Sequence, residues 1–97
     1  MIVEIEVLPR PAGTPDDPYR HVEAAIAAIA AAGVVYEVGA LGTTFEAPAD
    51  TAWALTRATH DACLTSGADS VITIVKLAES AGDSGPTIAG LTGKFRE

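Results

Sequence analysis

Val3, Ile5 and Val7 alternate with Ile2, Glu4, Glu6 and Leu8 at the start of the chain, a two-residue period that predicts a half-buried strand over residues 2–8. Pro9, Pro11, Gly13, Pro15 and Pro18 follow. Prolines at that density oppose both a ladder and a helix interior, so a connecting loop is expected there. From about Tyr19, Val22, Ala25, Ile26 and Ile29 recur at three- and four-residue spacing among alanines and stop at Gly33, the pattern of an amphipathic helix ending in a left-handed residue. Val34–Val38 is β-branched and aromatic, and Gly39 and Gly42 bracket a tight connection to the strand-like Thr43–Glu46, which together predict a hairpin.

A second helix is expected to be capped by Asp50 or Thr51 and to run to about Ser66, with Trp53, Thr56, His60, Cys63 and Leu64 as its inward stripe and Gly67 closing it. Ser70–Leu77 is rich enough in valine and isoleucine for a central strand, and residues 82–86 form another loop. Thr87 can cap a short terminal helix reaching Phe95, weakened by Gly90 and Gly93, each of which costs a helix about 1 kcal/mol against alanine. The order strand, helix, strand, strand, helix, strand folds most simply as one α+β domain over residues 1–97. Its architecture is ferredoxin-like βαββαβ, a four-stranded antiparallel sheet with two helices on one face.

Alternation sends Val3, Ile5, Val7, Tyr36, Val38, Phe45, Val71, Thr73 and Val75 toward the helices. Glu4, Glu6, Val35, Glu37, Thr44, Glu46, Ile72, Ile74 and Lys76 go to the other face. That outer face is too apolar to stay in water and too charged for an ordinary core, so a second sheet is expected to cover it. Its carboxylates can hold a cation, or can serve only as rim charges that keep the sheet edges from aggregating.

Composition narrows the function classes. Ninety-seven residues make a thin core that favours oligomerisation. With 13 acidic and 6 basic residues, net charge −7, no nucleic-acid or anionic-membrane partner is expected. The 48% hydrophobic and 20% charged content indicates a folded chain. The acidic first strand does not resemble a signal peptide, and the single Cys63 has no disulfide partner, so a cytoplasmic location is expected.

Candidate chemistry is sparse. His60 and Asp61 are adjacent and point apart on a helix, so they do not form a base and its orienting acid. Cys63, one turn beyond His60, fits a small buried core residue better than a nucleophile. His21 and His60 do not make a metal site, and neither a metal nor a cofactor is expected. Gly39-Ala40-Leu41-Gly42-Thr43-Thr44 offers backbone amides and two hydroxyls at a bend where a small ligand can come close, although a hairpin turn needs no function. No Lys and no helix follow, so it is not a phosphate loop. Without a nucleophile elbow or dinucleotide fingerprint, enzyme activity is not favoured.

The segment Tyr36-Glu37-Val38-Gly39-Ala40-Leu41-Gly42-Thr43-Thr44-Phe45-Glu46 resembles the hairpin signature of the YkoF-like thiamine-binding protein family. In that family a Tyr-Glu-Val strand, a Gly/Pro-containing turn and a Thr-x-x-Glu strand follow one another. The Ile-Glu-rich first strand running into proline, the helix before Gly33, Thr59-His60-Asp61-Ala62, Gly67-Ala68-Asp69 and Thr87-Ile88 fall in the family's order. The resemblance implies a ferredoxin-like homodimer or homotetramer, assembled through its sheets, that binds thiamine or its hydroxymethylpyrimidine moiety without catalysis. Carried over position by position, Glu37, Thr43, Thr44 and Glu46 line the ligand, Gly42 allows close approach, and Glu6 and His60 join them. Many relatives carry an acidic-plus-arginine cluster after the last strand. This chain has Leu77-Ala78-Glu79-Ser80 there, so no anion-handling role transfers. Gly90 and Gly93 also place in doubt any ligand contact from the charged terminal helix usual in the family. A structural or protein-interaction module, whose sheet face serves only assembly, is the alternative reading. A small enzyme using His60 as general base is a third.

Overall fold

The computed structural model describes residues 1–82 and 85–96. It contains β1 (Ile2–Arg10), α1 (Arg20–Ala31), β2 (Val35–Val38), β3 (Thr43–Glu46), α2 (Ala49–Ser66), β4 (Ser70–Ala78) and α3 (Ile88–Thr92), followed by a 3-10 turn at Gly93–Phe95. The strands lie in the order β2-β3-β1-β4, and every neighbouring pair is antiparallel. This is the ferredoxin-like arrangement.

The core lies between one sheet face and the two long helices. Val3, Ile5 and Phe45 from the sheet meet Ile29 of α1 and Ala52 and Leu55 of α2, with Ala47 completing the cluster. A smaller cluster joins Ala25, Cys63 and Ala68, against which Val7 and Val71 pack. Gly33 and Gly67 follow the two helices with φ of 75° and 123°, backbone conformations that side-chain-bearing residues rarely adopt.

Four sequence expectations are corrected. First, β1 continues through Pro9 to Arg10, with Pro9 opposite Val71. β3 stops opposite Ile5, so beyond that point β1 has a neighbour only in β4, and a proline is tolerated on a strand with an open side. Second, β4 pairs with β1 alone and is an edge strand, not a central one. Its Ile72 and Ile74 remain 59% and 52% exposed. Third, the buried stripe of α2 is Ala52, Leu55, Thr59 and Cys63. Of the expected stripe only Cys63 is buried; Trp53 and Leu64 face outward, Thr56 and His60 are half-buried, and the small Ala52 lets α2 lie close to the sheet. Fourth, Pro48 holds the cap position of α2 without a side-chain hydrogen bond, and Asp50 lies in the first turn instead, where its charge favours the helix dipole. Tyr36 and Val38 share the helix-side row with Phe45 and Thr43 but are exposed, because β2 is the other edge of the sheet.

Thr87 caps α3 as expected, its Oγ1 accepting from the Gly90 amide at 2.9 Å. The loop expected over 82–86 includes Asp83 and Ser84, which lie outside the described residues. Among the described residues, no helix is long and apolar enough to cross a membrane.

Candidate functional site

Antiparallel register aligns side chains in rows across the sheet. One row on the outer face runs Glu37–Thr44–Glu4–Lys76 from β2 to β4. Glu6, opposite Ile74, lies in the next row. Together with Val38, Gly39, Leu41, Gly42 and Arg96 they line a groove of about 530 Å³.

Two of the three carboxylates in this groove already have cations. Lys76 Nζ lies 3.5 Å from Glu4 Oε1, and Arg96 Nη2 lies 2.9 Å from Glu37 Oε2. Exposed pairs of this kind contribute only about 0–1 kcal/mol, so a ligand cation can compete with either. Glu6 has no ion-pair partner among the described residues.

The structure brings together Glu6, Glu37, Gly42 and Thr44 and sets the other expected residues elsewhere. Thr43 must face opposite to Thr44, and it does: it is 4% exposed and lines a separate recess on the helix side. That recess, about 300 Å³, lies between β1, α1 and the hairpin, with Tyr19, Val22 and Ile26 on its wall. Glu46 shares the outer face, but its Oε2 accepts a hydrogen bond of 3.1 Å from the Ile88 amide and so anchors the start of α3. His60 is on the helix side, with Nδ1 2.5 Å from Thr73 Oγ1. The sheet therefore separates it from the groove. The expected close approach at Gly42 is a chain-packing one: a Cβ there would stand 3.2 Å from the Ile5 carbonyl oxygen.

The remaining reactive groups are occupied or shielded. His21 is buried, with Nδ1 2.6 Å from Ser66 Oγ. Burial pushes the Cys63 thiol pKa up, partly offset by a backbone hydrogen bond, so the thiol stays protonated and unreactive at neutral pH.

Glu4, Lys76 and Arg96 were not nominated from the sequence. Alternation already placed Glu4 and Lys76 on the outer face. Arg96 reaches Glu37 only because the terminal segment crosses that face, and no sequence pattern signals such a crossing.

Sheet order and groove define a small ferredoxin-like domain with an open, carboxylate-rich groove on its outer sheet face. The chain belongs to the thiamine-binding protein family, whose family model matches residues 3–94. A domain of unknown function from Bacillus cereus is 32% identical, with 99% of this chain and 89% of that chain covered at a TM-score of 0.86. A candidate thiamine biosynthesis/salvage protein from Thermotoga maritima is 25% identical, covering 98% of this chain and 97% of that one at a TM-score of 0.81. A hypothetical protein from Methanocaldococcus jannascii, 21% identical over 97% of this chain and 93% of its own, shares the fold at a TM-score of 0.77. No curated protein matches the chain significantly.

Proposed function

We propose that this protein is a non-catalytic, cytoplasmic binder of thiamine or a related hydroxymethylpyrimidine compound, and that it works as a homo-oligomer. The observation that carries the reading is the groove in which Glu4, Glu6 and Glu37 converge around Thr44. Thiamine has a cationic thiazolium, and the three carboxylates outnumber the two cations Lys76 and Arg96 of the same concavity, which leaves Glu6 to favour a cation while the Thr44 hydroxyl supplies a neutral hydrogen bond. Membership of the thiamine-binding family and likeness to the Thermotoga maritima protein support the ligand class. The absence of catalysis is supported by the engagement of His60 with Thr73 and by the burial of Cys63.

Assembly is supported by Leu8, Ile72 and Ile74, all exposed on the outer face that carries the groove. A second copy seated on this strip would bury it and close the groove, since Ile74 belongs to both.

Isothermal titration with thiamine tests the proposal. The expected result is saturable heat that weakens as salt is raised, because exposed carboxylates are screened, and that is lost in the Glu6→Gln/Glu37→Gln double variant. Absence of heat with thiamine, its phosphates and hydroxymethylpyrimidine alike would refute it.

A further inference from the structure

The groove on the outer face is walled by the sheet and its β2–β3 hairpin, with one exception among the described residues, Arg96. The segment that delivers Arg96 starts at Thr87 and has two attachments to the sheet. At its beginning the Ile88 amide donates to Glu46 Oε2 at 3.1 Å and the Ile88 side chain is buried. At its end Arg96 Nη2 lies 2.9 Å from Glu37 Oε2. Glu46 stands on β3 and Glu37 on β2, so one outer-face carboxylate fastens each end. The Arg96 pair is closer and more sheltered than that of Lys76 with Glu4, which lies at 3.5 Å.

Between those anchors the segment is loosely held. Its hydrogen bonds there stay internal: the Leu91 amide donates to the Thr87 carbonyl, the Thr92 hydroxyl to the Ile88 carbonyl and the Arg96 amide to the Gly93 carbonyl. Leu91 and Phe95 remain exposed. Gly93 has helical dihedrals, φ −56° and ψ −39°, and a Cβ there would meet nothing. Neither backbone nor packing therefore requires a glycine at this position, and its physical effect is to loosen the helical turn. A segment with few buried contacts opens more readily than the core beneath it.

Building on the thiamine reading, we infer that residues 87–96 form a strap across the acidic groove, with the Arg96 guanidinium as a tethered competitor for the ligand's cation at Glu37. In the empty groove Arg96 neutralises Glu37. A ligand cation brought to the same carboxylate meets Arg96 as a like charge a few ångströms away, so its binding expels the guanidinium. The strap then swings out about its loose middle while Ile88 stays fixed. Because an exposed ion pair is weak, the strap is poised rather than locked. It lowers ligand affinity by the fraction of molecules in which it is closed.

Thiamine titrations of the wild type, Arg96→Gln and Gly93→Ala test this, together with NMR relaxation at the amides of Lys94, Phe95 and Arg96 in each protein, with and without thiamine. Arg96→Gln should bind thiamine about threefold more tightly, because the closed state is lost. Gly93→Ala, which stiffens the strap without changing any charge, should bind it about threefold more weakly. Without ligand, the three amides should be more mobile in Arg96→Gln than in the wild type, and saturating thiamine should mobilise them in the wild type. Tighter binding by Arg96→Gln with no change in Gly93→Ala would reduce Arg96 to a charge effect and overturn the strap. Weaker binding by Arg96→Gln, or amides that become more ordered with thiamine, would make Arg96 a ligand contact and overturn it too. If the wild type binds no thiamine, the thiamine reading falls. The ligand-free comparison then decides the strap separately: equal mobility in the wild type and Arg96→Gln overturns it.

Discussion

At the residue scale, the proposed site rests on a few side chains whose placement is set by the two-residue period of strands. Adjacent Thr43 and Thr44 cannot serve the same side of a sheet, and the structure buries one against the helices while leaving the other in the acidic row. The period therefore made Glu4, Glu6, Glu37 and Thr44 legible as neighbours, and it also argued against grouping Thr43 with them. The state of Cys63 depends on packing and was legible only as a tendency. Its thiol pKa is raised mainly by desolvation, so the folded chain retains a proton that the unfolded chain releases. Stability should accordingly fall as pH rises above about 8.5, the ordinary thiol value. Urea melts between neutral pH and pH about 10 should show this loss in the wild type, and Cys63→Ala should lack that component.

At the element scale, type and order of the secondary structure were readable, whereas phase and neighbours were not. Period and composition located β1, α1, the hairpin, α2 and β4. The inward stripe of α2 differs from the expected one because Ala52, Leu55 and Thr59, not Trp53 and Leu64, pack inward: Ala52 and Thr59 are almost fully buried while Trp53 is 53% exposed. Close helix–sheet approach selects small residues, which carry a weak hydropathy signal. Whether β4 is central or edge depends on pairing between distant segments, which local composition does not encode. The terminal helix is tied to the sheet by the hydrogen bond from the Ile88 amide to Glu46 and by burial of the Ile88 side chain, with the Arg96–Glu37 pair just beyond it, since five residues do not sustain a helix alone. Glu46→Ala should release it: hydrogen exchange at the amides of Leu91 and Thr92 should lose protection while the β1–β4 ladder keeps its own. Unchanged protection would show that Glu46 is free to serve a ligand instead.

At the scale of the whole molecule, the shape is extended for a chain of this length. The chain measures 43 × 31 × 21 Å with a radius of gyration of 14.0 Å, against about 12.5 Å for a compact chain of this length. Its accessible surface of 6230 Å² exceeds by about 1,000 Å² the area typical of a monomer of its 9.9 kDa mass. A standard interface covers about 800 Å² on each partner, so the surplus is of the size that the proposed second copy would cover, and the apolar strip Leu8, Ile72 and Ile74 lies exposed on the outer face where the proposal seats it. Sedimentation equilibrium should find a dimer or tetramer for the wild type and a monomer for Ile72→Glu. A wild-type monomer would remove the sheet face as an assembly surface.

The groove and that surface overlap at Ile74, which makes ligand and assembly thermodynamically linked if both occur. The central claim, a thiamine site built on the acidic sheet face, is tested most directly by thermal melts with and without thiamine. These are run at two protein concentrations for the wild type and for Glu6→Gln/Glu37→Gln. The account predicts a selective rise in Tm for the wild type that depends on protein concentration and is absent from the variant. An equal rise in both proteins would contradict it by placing the ligand away from these carboxylates.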